Sequence, residues 1–392
     1  MPAACEDLFI EVDQSHLACG GEHLAGDLFH SRRLEDGQRV VSILADGLSS
    51  GVEAAVLASV TASMALEYVE WNIDTERAAT ILMDSLPKDP QRQISFSAFT
   101  IVDARVDGRT RVFEHGNPAF MLIRDGKLEP LSRRRLSQPR WGNRHLDVSE
   151  FQSQVGDRIV LFSDGVSQAG MGTDTYPLGW GERAVADFLL ERLNRRPDAS
   201  SRNLSELLVN LAQYHDGGEP GDDITCGIIH FRHPRELYVM TGPPFDEARD
   251  REFASLLEVP GIRKAVCGGT TSNIVARELR REIDMDLSDY DPEVPVPSTM
   301  RGAELVTEGC LTLAKASQYL EAGSAPRRNA ASRLMDLLLE SDVIHFQVGT
   351  RVNEAHQDPA LPVELDIRRN VIKRIAHLLE SRHLKRTSIA YY

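Results

Sequence analysis

An apolar run ending in an Asp-Gly turn occurs twice in this chain and constrains what its first half can become. The first copy lies in Val40–Leu57, VVSILADGLSSGVEAAVL. Val40 to Ala45 suits a buried strand, Asp46-Gly47 interrupts it, and Leu48-Ser49-Ser50-Gly51 turns the chain into a helix. In that helix Val52, Val56 and Val60 recur at four-residue steps beside Ala55, Ala62, Leu66 and Val69, which predicts an apolar face built on them. The second copy lies in Gly156–Val166, where a buried strand runs into Ser163-Asp164-Gly165. A carboxylate at the end of a core strand, followed by glycine, is where hard cations are commonly held. Asp-Gly is also a common turn dipeptide, so one copy alone reads first as a plain strand–turn–helix.

The segments around these two copies add further aspartates. Residues 7–13 alternate like a strand, Gly20-Gly21-Glu22-His23 is a turn, and Gly26 to His30 is a second strand carrying Asp27. A hairpin at Glu35–Gln38 leads into the strand of Asp46, so Asp27 and Asp46 are expected at the same end of one antiparallel sheet. Helices are expected to Tyr68 and over Thr75–Leu86, followed by hairpin-linked strands at Ser97–Asp103, Thr110–His115 and Ala119–Ile123. Such linkage builds antiparallel sheets. Helices over Glu182–Arg195 and Ser205–Tyr214 precede Glu219-Pro220-Gly221-Asp222-Asp223-Ile224-Thr225 and a last apolar strand, Cys226–Phe231. Asp27, Asp46, Asp164 and Asp222 therefore all fall at the rims of buried strands. Clustered there they repel one another and lose hydration, a cost that divalent cations offset. Oxygen-only ligation favours Mg²⁺ or Mn²⁺. The arginine-rich loop Ser132–Arg144 suits a phosphorylated or acidic partner, but reads first as a solvated face.

At 392 residues the chain is long for one core, and two domains are expected, 1–233 and 234–392. A net charge of −15 argues against nucleic acid and anionic membrane as primary partners. No apolar stretch stands out at the roughly 20 residues of a membrane helix, and Met1–Asp13 lacks the pattern of a signal peptide. The five cysteines, Cys5, Cys19, Cys226, Cys267 and Cys310, are dispersed, which suggests reduced thiols and a cytoplasmic location.

Residues 15–232 resemble the metal-dependent protein phosphatases of the PPM (type 2C) family, in the bacterial SpoIIE-type branch. The resemblance rests on an ordered set: Gly26-Asp27, Ala45-Asp46-Gly47 with Gly51, His115-Gly116-Asn117-Pro118, Gly156-Asp157, Ser163-Asp164-Gly165 and Gly221-Asp222-Asp223-Ile224-Thr225. It implies an antiparallel β-sandwich flanked by helices and hydrolysis of phosphoserine or phosphothreonine without a phosphoenzyme. It further implies that Asp46 bridges two Mn²⁺ or Mg²⁺ ions, with the Gly47 carbonyl, Asp164 and Asp222 as ligands, Asp27 acting through water or a further site, and Asp223 where many relatives have asparagine. Asp46 and Asp164 are thus the catalytic candidates. Leu48-Ser49-Ser50 replaces the histidine that some relatives carry, so no general acid is assigned. Arg32 and Arg33, near Asp27, read as a solvated strand end. The branch suggests a phosphoprotein substrate, such as a partner-switching regulator, and a homodimer. The alternatives are a phosphatase-fold scaffold without catalysis, or a small-molecule phosphatase.

After Pro234 the grammar changes to alternating strands and helices, which predicts a smaller α/β domain with a parallel sheet. Strands are expected at Glu236–Met240, Arg263–Cys267, Ala303–Val306 and Val343–Val348, and helices at Asp246–Glu258, Asn273–Glu282, after Gly309 to Glu321, Ala330–Leu339 and Asp366–Arg382. Asp284–Arg301, with three prolines, reads as an excursion or linker. The strand ends carry Thr241-Gly242, Gly268-Gly269-Thr270-Thr271, Thr307-Glu308-Gly309 and Gly349-Thr350. Ligands of open parallel sheets bind outside the carboxyl ends of the strands, and glycine turns entering helices suit anions. This half is therefore expected to be regulatory, sensing a small molecule or anion; tight turns alone explain the glycines equally well.

Overall fold

The computed structural model describes residues 8–22, 24–34, 37–47, 51–71, 73–86, 97–351 and 362–392, with the side chains of 362–366 left aside. The expected turn residues His23, Glu35-Asp36 and Leu48-Ser49-Ser50 lie outside them, as do Cys5 and the start of the first strand. The chain divides into two compact units, Met1–His233 and Pro234–Tyr392.

The first unit begins with strands β1 (Phe9–Leu17), β2 (Asp27–Leu34) and β3 (Arg39–Gly47), then helices α1 (Val52–Glu70) and α2 (Thr75–Ser85). Strands β4 (Ser97–Arg105), β5 (Arg109–His115), β6 (Met121–Arg124), β7 (Lys127–Leu128), β8 (Arg134–Leu136), β9 (Leu146–Gln152) and β10 (Arg158–Phe162) follow. The short helix α3 (Asp164–Ser167), helices α4 (Glu182–Arg195) and α5 (Ser201–His215), and strand β11 (Ile224–Arg232) complete it. Among the described residues the strands form two antiparallel sheets, ordered β2-β3-β4-β5-β9-β8 and β1-β11-β10-β6-β7. Their facing sides bury Phe29, Val40, Leu44, Val102, Leu122, Leu161 and Ile229. Helices α1 and α2 cover the outer face of one sheet and α4 and α5 that of the other. Because both faces of β3 are covered, its sequence reads as a continuous apolar run.

The inward face of α1 keeps part of the expected one: Ala62, Leu66 and Val69 are buried, as are Ala54, Ala58, Thr61 and Ala65, but Val52, Val56 and Val60 are 65%, 57% and 47% exposed. Close approach explains the choice: a Cβ added to Gly47 would stand 2.3 Å from the Ala54 carbonyl oxygen. At that separation alanines fit against the sheet and a valine stripe does not. By length and composition α1 would also suffice to cross a membrane, contrary to the expectation that no such stretch exists. Its alanine face nevertheless packs on β3 and β4 as a core helix does.

A buried ion pair fixes α2 to this sheet. Arg39 donates through Nε and Nη2 to the Asp103 carboxylate at 2.8 and 3.0 Å, and the Thr75 hydroxyl, at the first position of α2, donates at 2.6 Å. Arg111 adds a contact of 3.0 Å. Burial alone would raise the Asp103 carboxyl, but the hydrogen bonds from Arg39 and Thr75 outweigh it and hold it below its usual 3.8. The arginine loop serves the same junction. Arg134 pairs with Glu76, Arg140 with Asp84, Arg135 with Asp147, and Arg144 donates to the Met83 carbonyl. The expected solvated face is seen at Arg134, Arg135 and Arg140, which stay more than half exposed in these pairs, whereas Arg144 is buried against α2.

The second unit contains β12 (Glu236–Thr241), α6 (Asp250–Ser255), β13 (Arg263–Cys267), α7 (Gly269–Leu279), β14 (Asp284–Met285), β15 (Ser298–Thr299) and β16 (Leu305–Thr307). Helices α8 (Cys310–Ala322) and α9 (Ala330–Glu340), strand β17 (Val343–Val348), helix α10 (Pro362–His383) and strand β18 (Arg386–Tyr391) follow. The sheet runs β14-β15-β16-β13-β12-β17-β18. Its strands from β16 to β18 are parallel, in the order 3-2-1-4-5 of a doubly wound sheet. Asp284–Arg301 is an excursion, supplying two short antiparallel strands. Two other features depart from the sequence reading. β18 was not anticipated, because its exposed, alternating RTSIAY carries no apolar run. Helix α7 starts at Gly269, so the expected glycine turn is itself the first turn of the helix.

Asp103→Ala is expected to cost about 3–5 kcal/mol in urea unfolding, because it leaves Arg39 buried without its carboxylate. Since the folded value lies below 3.8, the wild type holds this contribution above about pH 3.8 and loses it as the pH falls further. The variant should lack that part of the acid limb.

Candidate metal centre

Strand periodicity brings the acidic residues together. Asp46 alternates with Val40 and Leu44 and so faces the interior between the sheets, and Asp27 stands directly opposite it in the β2–β3 register. At the same end, the other sheet contributes Asp164, just after β10, and Asp222-Asp223, just before β11. Burial first, and then the charges of Asp27, Asp164, Asp222 and Asp223, push the Asp46 carboxyl up to about 9. Burial raises Asp27 to about 7; the nearby Ser163 and Thr225 hydroxyls oppose the shift, and Asp223 and Asp222 reinforce it. Asp164 and Asp222 are also raised, chiefly by burial.

Two contacts shape this corner. Asp223 accepts hydrogen bonds from the Cys19 and Gly26 amides at 2.8 and 2.7 Å, one on each oxygen. It therefore clamps the loop that delivers Asp27. The Ser163 hydroxyl accepts from the Thr225 amide at 3.0 Å and donates to the Asp223 carbonyl at 3.1 Å. Gly165 is needed for this approach, since a Cβ there would meet that carbonyl oxygen at 2.2 Å. Ser163 and Thr225 were not singled out from the sequence, although both lie inside the quoted motifs.

Among the described residues no three or more histidine, cysteine, aspartate or glutamate side chains stand grouped so as to hold a metal ion. The donor chemistry nevertheless fits a hard divalent cation. The grouped donors are carboxylates, and Asp27 Oδ2 is buried without a hydrogen-bond partner. Gly47 ends β3 beside Asp46, with its amide donating to the Gly26 carbonyl at 3.1 Å.

The other singled-out residues go elsewhere. Asn117 donates to the Leu44 carbonyl and the Thr100 hydroxyl, bracing β3, and Asp157 pairs with Arg124. Arg32 meets Glu67 and Glu70 of α1, and Arg33 donates to the Ile10 carbonyl at 2.7 Å, so neither is merely solvated.

The four glycine turns of the second unit separate into two pairs. At the β12/β17 end, Gly242 and Gly349 are packed backbone to backbone: a Cβ on Gly349 would meet the Pro243 oxygen at 2.1 Å. Thr350 there donates its amide and hydroxyl to the Tyr392 carbonyl. The remaining pair, Gly268–Thr271 and Thr307–Gly309, lies at the ends of β13 and β16, where the Thr307 hydroxyl donates to the Glu308 carbonyl at 2.8 Å.

Asp223→Ala is expected to destabilise the chain by about 1–3 kcal/mol for the buried Gly26 amide alone, measured as a shift of the urea midpoint. Asp223→Asn, which keeps one acceptor oxygen, should lose less.

The family model described as Stage II sporulation protein E (SpoIIE) matches residues 36–232, which leaves Asp27 just outside the matched segment. No curated protein matches the chain in sequence. Among solved structures, the phosphatase domain of the cell fate determinant SpoIIE from Bacillus subtilis is similar at 16% identity and a TM-score of 0.43, over 58% of this chain and 94% of that one. The RsbU and RsbW domains of Rv1364c from Mycobacterium tuberculosis align at 17% identity and a TM-score of 0.48, over 64% of this chain and 67% of theirs. RsbX, solved in complex with magnesium, aligns at 15% identity and a TM-score of 0.40, over 57% of this chain and 95% of its own. The matched segment takes in just over half of the chain, including both copies of the strand that ends in Asp-Gly, and the chain belongs to the SpoIIE family.

Proposed function

We propose that the first unit is a metal-dependent phosphatase acting on phosphoserine or phosphothreonine in a protein. The observation that carries this reading is the Asp27–Asp46 cross-strand pair, set against Asp164 and Asp222 from the opposite sheet, with the Asp46 carboxyl pushed up to about 9. Carboxylates that lose hydration and raise one another in this way favour protons or cations, and a divalent cation offsets their repulsion far better than water does.

Asp46, the Gly47 carbonyl, Asp164 and Asp222 would hold Mn²⁺ or Mg²⁺, with Asp27 supporting them through water. When bound, such ions supply a water of lowered pKa and a positive field for the phosphoryl oxygens. The chain's own contribution is positioning. Asp223 anchors the loop bearing Asp27, and Ser163 ties the turn of Asp164 to the strand that follows Asp222-Asp223. Asp27 is buried and Asp46 half-buried, which limits the screening of their charges by bulk water. The substrate in this reading is a phosphoprotein of a partner-switching kind, and residues 234–392 regulate the activity.

The test is hydrolysis of p-nitrophenyl phosphate, and of a phosphoserine peptide, with and without Mn²⁺. Wild type should be active only with metal, and Asp46→Ala and Asp164→Ala should each lower the rate by about 10²–10³-fold. Metal-independent activity, or activity indifferent to both substitutions, would overturn the assignment.

A further inference from the structure

At the carboxyl edge of the second unit's sheet, two helix N-termini meet. β13 and β16 are parallel neighbours, with Cys267 opposite Thr307, and they lead into α7 and α8. α7 packs through Val275 with Val266 and Val306, whereas α8 packs through Leu313, Ala316 and Leu320 with Ala265, Cys267 and Leu305. The two helices thus leave adjacent strand ends for opposite faces of the sheet.

The two starts share one pattern. Each N-cap is a glycine, Gly268 or Gly309, neither helix has a side-chain cap, and neither carries an acid in its first turn. The caps are close together: a Cβ on Gly309 would lie 3.4 Å from the Gly268 Cα. At the third helical position each has a threonine, Thr271 or Thr312, and these are 1% and 0% exposed. Neither hydroxyl has a hydrogen-bond partner. Helical side chains lean toward the N-terminus, and the Thr271 hydroxyl oxygen stands 3.0 Å from where a Cβ on Gly268 would be, at its own cap. Thr241, in register with Cys267 on the next strand, is a third buried hydroxyl without a partner. Glu308, beside the second cap, is exposed.

Two adjacent positive helix ends repel each other, and buried hydroxyls without partners are costly. One bound anion relieves both. A tetrahedral phosphoryl group has oxygens enough to accept from both helix starts and from the Thr271 hydroxyl at its cap. We propose that the paired Gly-x-x-Thr helix starts, Gly268–Thr271 and Gly309–Thr312, bind the phosphoryl group of a small molecule. This site does not depend on hydrolysis by the first unit.

The test is calorimetric titration of the full chain with inorganic phosphate, pyrophosphate and ATP, in EDTA and on an Asp46→Asn background that removes phosphate binding at the metal centre. At least one of the three should bind, and Thr271→Val with Thr312→Val should weaken it tenfold or more while the fold, followed by circular dichroism, is kept. Without ligand the double variant should melt no lower than its parent, since the hydroxyls it loses were unpaired. Thr271→Ser, which keeps the hydroxyl, should bind within a few fold of the parent and serves if the double variant fails to fold. ATP binding tenfold tighter than phosphate would assign a nucleotide; equal binding would assign the phosphoryl group alone. No binding of any of the three, binding unchanged in the folded double variant, or loss of binding in Thr271→Ser equal to that in Thr271→Val would overturn the proposal.

Discussion

Mutual repulsion among carboxylates at the mouth of the sandwich is the constraint around which the first unit is arranged. Asp46 bears the most of it, with Asp27, Asp164, Asp222 and Asp223 all adding to the effect of burial. A cluster of this kind does not hold itself together, so the surrounding backbone must. Asp223 accepts from the amides of Cys19 and Gly26, Ser163 bridges the Asp164 turn to the start of β11, and Gly165 and Gly47 allow approaches that no side chain would permit. The glycines next to the acidic residues thus serve as contact surfaces as much as turns.

Around that corner, close packing and ion pairing divide the work. The alanine face of α1 lets the helix lie against β3 immediately after the Asp46 turn. Further along the same sheet, Asp103 gathers Arg39, Arg111 and Thr75, while Arg144 donates to the Met83 carbonyl of α2. The outward valines of α1, by contrast, contribute nothing to this core.

Much of this was legible in the chain. Elements with both faces covered announce themselves as apolar runs, so β3, β4, β10 and β11 were placed, and helix α4 was bounded as observed. The strand-rim aspartates were visible because a charge ending such a run has few structural reasons to be there. What escaped notice lacked a local signal. β18 is an exposed edge strand, and Ser163 and Thr225 look like ordinary strand-end hydroxyls. The choice of the valines for the inward face of α1 failed because valine outranks alanine as an apolar residue, while the sheet's proximity selected for small volume.

The sequence by itself determined where the strands stop and which stops carry carboxylates, because both are matters of residue order and period-two alternation. It also determined that the second half alternates strand and helix. Only the tertiary structure decided which carboxylates come to one end, since Asp27 begins a strand of one sheet, Asp164 follows a strand of the other, and no spacing rule relates them. It likewise decided that the glycine turns of the second unit act in pairs, closed between β12 and β17 but set before two uncapped helices between β13 and β16. Strand order is a long-range property: the neighbours of β13 are fixed by the packing of helices on both faces of the sheet, and nothing local to its own residues encodes them.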